Sequence, residues 1–192
     1  MNAQSPENYQ RTYELFQQAT DRKHGIPVLE LGANYGKFVE FLRGQGYDAW
    51  GIEGKRDKIG PNADRFVRVG DAECVDKIFV DRDFDSIVAQ SVFSSQAQFD
   101  YQLSNHRLYV DILLLTAVDR KAREELNHSL KQSLDRILAK CFEKLNVGGS
   151  MIICEDANLF EHMMVDREDA ERVGFKVELY SPAEAIFRKL GN

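Results

Sequence analysis

The chain has 192 residues, of which 43% are hydrophobic and 29% charged, and its formal net charge is −6. That length holds one domain with a proper core, and the balance is that of a folded globular protein rather than a disordered or fibrous one. The acidic charge argues against non-specific binding to nucleic acid, although the Lys55-Arg56-Lys58 patch leaves room for a specific contact.

The opening Met1-Asn2-Ala3-Gln4-Ser5-Pro6 lacks the basic and then apolar pattern of a signal peptide. Residues 6–23 are predicted to be helical: Ser5 can cap, Pro6 fits the first turn, and Leu15, Phe16 and Ala19 form an apolar side. This helical cap, residues 1–25, precedes a main domain over 26–192. Ile26–Leu31 is a short apolar run ending in a Gly-containing turn and reads as a buried strand. Phe38–Leu42 is spaced as a helix that Gly44 and Gly46 stop. Asp48–Glu53, Arg65–Val69 and Phe84–Gln90 read as the second, third and fourth strands.

Residues 94–120 exceed what a crossover to the next strand requires and read as an insert. The longest apolar run, around Ile112–Val118, is bounded by Asp111 and Asp119 and falls well short of the about 20 residues that span a bilayer. A soluble, cytoplasmic protein without a membrane segment is the expectation. A long helix then runs to about Leu145, with Leu126, Leu130, Leu134, Leu138 and Phe142 one turn apart, and Gly148-Gly149 is read as its stop. Ser150–Glu155 is the fifth strand and Asp166–Val173 a helix ended by Gly174. Phe175–Tyr180 and Ala185–Leu190 close the series as strands joined by Ser181-Pro182. Cys74, Cys141 and Cys154 form neither a CxxC pair nor an even set, so neither a disulfide framework nor a zinc site is implied.

Strands alternating with helices specify an α/β fold, a mostly parallel sheet covered on both faces. Such sheets bind ligands beyond the carboxyl ends of their strands, so function belongs in the turns after them. The first turn, Glu30-Leu31-Gly32-Ala33-Asn34-Tyr35-Gly36, has the form acid-x-Gly-x-x-x-Gly. Gly32 permits a tight turn and close approach of a ligand. The loop lacks the extra glycine of a dinucleotide site and suits a small zwitterion, whose ammonium Glu30 can meet directly or through water. Glu53 follows the second strand, where it can accept both hydroxyls of a ribose. After the third strand, Asp71 can accept from an adenine amino group while the Ala72 amide donates to the ring. Each of these acids could instead cap a helix, and for Asp71 taken alone the cap is the favoured reading. Gln90 and Ser91 end the fourth strand on the same side.

The series Val28–Phe38, Gly51–Glu53, Gly70–Glu73, Phe84–Gln90 and Leu145–Gly149 resembles the class I S-adenosylmethionine-dependent methyltransferases, over roughly residues 26–190. The resemblance implies a three-layer Rossmann-like fold with seven strands in the order 3-2-1-4-5-7-6, the last antiparallel, and S-adenosylmethionine as cofactor. It places Gly32, Ala33 and Asn34 against the methionine part, Glu53 at the ribose, and Asp71 and Ala72 at the adenine. Glu30, Tyr35, Gly36, Gly54 and Gln90 complete the cofactor-binding set. Asn34 stands where a glycine is usual in that family.

The acceptor is not legible in the sequence; a small molecule is the expectation. Gln90-Ser91-Val92-Phe93 disfavours enzymes with an Asn/Asp-Pro-Pro-aromatic motif at that place, and Gln90 also removes an acid that metal-dependent relatives need, so no metal is expected. Glu155, Asp156 and His106 are candidate bases, and His162, Met163 and Met164 candidate acceptor contacts. Tyr9 and Tyr13 on the first helix, and the 94–120 insert, are candidate covers, the insert alternatively a homodimer face. Three other readings stay open: a nicotinamide-dependent oxidoreductase, a domain that binds S-adenosylmethionine without turnover, and a polyamine synthase.

Overall fold

The computed structural model describes residues 7–93, 120–155 and 163–191. Seven strands form one sheet: β1 (Pro27–Leu31), β2 (Asp48–Glu53), β3 (Val67–Val69), β4 (Phe84–Gln90), β5 (Leu145–Cys154), β6 (Phe175–Tyr180) and β7 (Glu184–Lys189). Their spatial order is β3-β2-β1-β4-β5-β7-β6. The first five run parallel, and β7 is antiparallel to both neighbours, in register Ile152↔Ile186 with β5 and Val177↔Phe187 with β6. This is the order and sense expected from the sequence.

Side-chain alternation along the strands feeds two cores, because successive residues point to opposite faces. On one face Val28, Ala49, Val88, Ile152 and Ile186 pack under α1 (Glu7–Ala19) and α2 (Lys37–Gly44), which contribute Leu15, Phe16, Phe38 and Leu42. On the other, Leu29, Leu31, Ile52, Ile87, Met151 and Ile153 meet α3 (Val75–Ile78), α4 (Arg120–Lys144) and α5 (Arg167–Val173). The stripe Leu130, Leu134, Leu138 and Cys141 of α4 is buried at helical spacing. Burial also pushes the Cys141 thiol well up, which keeps it uncharged and inert. α5 begins on a capping box, Asp166 and Asp169 exchanging side-chain and backbone hydrogen bonds, and ends at Gly174 as expected. Among the described residues no helix is long and apolar enough to cross a membrane.

The structure corrects three boundaries. The first helix ends at Ala19 rather than Lys23, where Asp21 and Arg22 take positive φ. The third strand is reduced to Val67–Val69. The fifth strand starts at Leu145 rather than Ser150, directly after the long helix, which ends at Lys144 close to the expected place and is not stopped by the glycines. The last carbonyls of the helix are capped from afar, with Lys189 Nζ donating to Phe142 O at 2.8 Å and to Leu145 O at 2.7 Å. The chain passes directly into β5, and Gly148, at φ 81°, sits in the irregular stretch where register with β4 slips between Phe84 and Ser86. The glycine pair therefore marks a bulge inside a strand. The 94–120 insert, with the lid or dimer face read onto it, lies outside the described residues apart from Arg120. So do His106, Asp156 and His162.

Candidate functional site

The loop after β1 is held in a shape few residues tolerate. Gly32, Asn34 and Gly36 all have positive φ, 66°, 48° and 72°. Asparagine is among the few side chains that accept this region, which explains how Asn34 stands in for a glycine. A Cβ on Gly36 would lie 2.2 Å from that of Ala63, so helix α2 can start where it does only on a glycine. The Ala33 amide donates to Ile52 O at 2.8 Å and ties the loop to β2. Tyr35 turns its ring outward, 45% exposed, while its carbonyl accepts from the Gly60 amide.

Glu53, buried at the end of β2, is more than a ligand candidate. Its Oε2 accepts from the Asn34 amide at 2.8 Å and its Oε1 from the Lys55 amide at 3.1 Å, around the exposed Gly54. One carboxylate thus fixes the loop of a different strand and the turn of its own. Each oxygen keeps a second lone pair directed elsewhere.

Glu30, two residues before Gly32 near the end of β1, is buried. Burial pushes its carboxyl well above the ordinary range; the amide of Val39 in the first turn of α2 opposes this, and the nearby Glu53 charge adds to it. Its Oε2 has no hydrogen-bond partner among the described residues. From α1, Tyr9 stacks on Phe38 at 5.4 Å, and burial, with Glu30 beside it, raises its hydroxyl to about 12. Asp71 follows β3. The Gly70 amide donates to Glu53 O at 3.0 Å, which brings this turn beside β2. Asp71 Oδ1 accepts from the Glu73 amide at 2.8 Å, capping the short turn Ala72–Cys74. Sheet order therefore brings Glu30, the Gly32–Gly36 loop, Glu53 and Gly54, and Asp71 and Ala72 to the carboxyl ends of three adjacent strands, with Gln90 ending the fourth.

No family model and no curated protein sequence matches the chain. Solved structures do. The N-methyltransferase NodS from Bradyrhizobium japonicum is 14% identical, with a TM-score of 0.59 over 99% of this chain and 100% of that one. A TehB-like SAM-dependent methyltransferase from Corynebacterium glutamicum is 19% identical, with a TM-score of 0.51 over 95% of this chain and 97% of that one. This is the class I methyltransferase fold. The same fold carries the 16S rRNA N2 G1207 methyltransferase RsmC of Thermus thermophilus, solved with AdoMet and guanosine. RsmC is 15% identical, with a TM-score of 0.55 over 93% of this chain and 42% of that one.

Within this methyltransferase fold one residue takes a role that sequence reasoning missed. Glu155, considered as a base, is 4% exposed, and its Oε1 accepts from the Phe93 amide at 2.7 Å. The two residues are 62 positions apart, so no local pattern announces the contact. Glu73 is likewise drawn away from the crevice, to Arg136 at 2.8 Å and to Ser133 of α4. Those contacts, Arg136 foremost, hold its carboxyl below the ordinary range.

Proposed function

We propose that the chain is an S-adenosylmethionine-dependent methyltransferase acting on a small-molecule acceptor. The observation that carries this reading is the buried Glu30 carboxyl, with one oxygen lacking a hydrogen-bond partner among the described residues, two residues before Gly32 near the end of β1. A ligand ammonium relieves a buried acidic group of this kind, and a dinucleotide offers none at that place. The loop is consistent with the fit: positive φ at Gly32, Asn34 and Gly36 turns it tightly at the end of β1.

In this reading Glu30 meets the ammonium, and Gly32, Ala33, Asn34, Tyr35 and Gly36 surround the methionine part. Glu53 and Gly54 hold the ribose, Asp71 and Ala72 the adenine, and Gln90 faces the same crevice. S-adenosylmethionine, when bound, supplies a methyl group already activated by its sulfonium. The protein's own task is then alignment and exclusion of water more than acid–base chemistry. The net charge of −6 favours a small acceptor over a polyanion. A second reading, a binding domain without turnover, is favoured by one observation: Glu155, a candidate base, is committed to the Phe93 amide.

Calorimetric titration with S-adenosylmethionine, S-adenosylhomocysteine, NAD and NADP tests the proposal. Micromolar binding of the two sulfur nucleotides alone is the expected result; preference for NAD, or binding of none, overturns it. Turnover in an acceptor screen then separates the enzyme from the binding domain.

A further inference from the structure

The turn after β4 has a construction that the reading above does not use. β4 ends at Gln90, opposite Cys154 of β5. The next amide, that of Ser91, donates to Cys154 O at 3.0 Å, and Ser91 takes φ 53°. Phe93 is fully buried, and both its backbone groups are engaged. Its amide donates to Glu155 Oε1 at 2.7 Å, and its carbonyl accepts from the Met164 amide at 2.8 Å. Glu155 is held in turn, its own amide donating to Ala183 O at 2.7 Å. Between these anchors stands Val92, with Cγ2 2.9 Å from where a Cβ on Gly32 would lie. A short turn with a positive φ at Ser91 has no intrinsic reason to keep that position. The carboxylate at the end of β5 supplies it with an acceptor inside the core.

We propose that Glu155 is a positioning residue for donor binding. By accepting the Phe93 amide it seats Val92 against Gly32 and makes the turn after β4 one wall of the donor site. This rests on the cofactor reading above. Glu155 acts through Val92 and touches no reacting atom.

The test compares wild type, Glu155→Gln, Glu155→Leu and Val92→Ala by their dissociation constants for S-adenosylhomocysteine, measured well below each melting temperature. Glutamine keeps an oxygen for the Phe93 amide, so Glu155→Gln should bind within about twofold of wild type. Leucine removes the acceptor and should weaken binding about tenfold, as one orphaned buried amide implies. Val92→Ala leaves the hydrogen bond in place, removes the wall, and should also weaken binding. A Glu155→Leu protein that melts lower yet binds as wild type has lost only stability, and the proposal falls. It falls equally if Glu155→Gln binds as poorly as Glu155→Leu, or if Val92→Ala binds as wild type. Should Glu155→Leu not fold, the other two variants decide. If wild type itself does not bind, the cofactor reading has failed, and the positioning role goes with it.

Discussion

Two turns at the centre of the sheet, after β1 and after β4, are built by the same device. Each contains a non-glycine residue at positive φ, Asn34 at 48° and Ser91 at 53°. Each is pinned by one buried carboxylate from the neighbouring strand, Glu53 to the Asn34 amide and Glu155 to the Phe93 amide. They differ in what surrounds the device. The β1 turn is flanked by two glycines that a Cβ would disrupt, and its carboxylate also serves Lys55. The β4 turn has no glycine, and its backbone is held instead from β5 and from Met164. Both are tied to their neighbours, but only the first also depends on glycines at positive φ.

The largest expected effect separates the two. Gly36→Ala puts a methyl into Ala63 at a positive φ and should cost about 3 kcal/mol or more, read as a collapse of the denaturant midpoint. Gly32→Ala should cost less, about 1–2 kcal/mol, because the obstructing atom is a side-chain methyl of Val92. Adding Val92→Ala should recover part of that loss. Strict additivity of the two changes in a double-mutant cycle would show that the turns do not touch energetically.

Glu30 sharpens the comparison through pH. Its folded-state carboxyl is raised by burial, so the native state holds the proton more tightly than the unfolded chain does. Stability therefore falls as pH rises above the ordinary carboxylate range of about 4.3. Glu30→Gln should melt higher than wild type at neutral pH without ligand, with the gap closing in acid, and should bind the donor more weakly. Parallel melting curves across pH would remove the charge argument. The smallest effects are expected from relieving φ. Ser91→Gly and Asn34→Gly should each shift stability by no more than about 1 kcal/mol, with the gain larger at Ser91 because asparagine already tolerates the conformation.

The strands were legible as apolar runs, most of them ending in a turn with a glycine or an acid, and their order came with the family resemblance. What escaped depends on contacts across the sequence. The end of the long helix near Leu145 was legible but its cap was not, because Lys189 supplies it from β7. Gly148-Gly149 resembles a helix terminator until the register with β4 is known. Glu155 reads as a base at a strand end, and only the fold shows that its partner is a backbone amide. Glu53 was legible as a carboxylate at the end of a strand, but not as the clasp of the loop beside it.

The position of β7 has a consequence for synthesis. It leaves the ribosome after β6, yet it lies between β6 and β5. During translation β6 therefore emerges with no strand to pair with, and the sheet can be completed only when the next segment slots into the gap. Until then the nascent chain carries an open β5 edge, the state in which a chaperone would find most to shield.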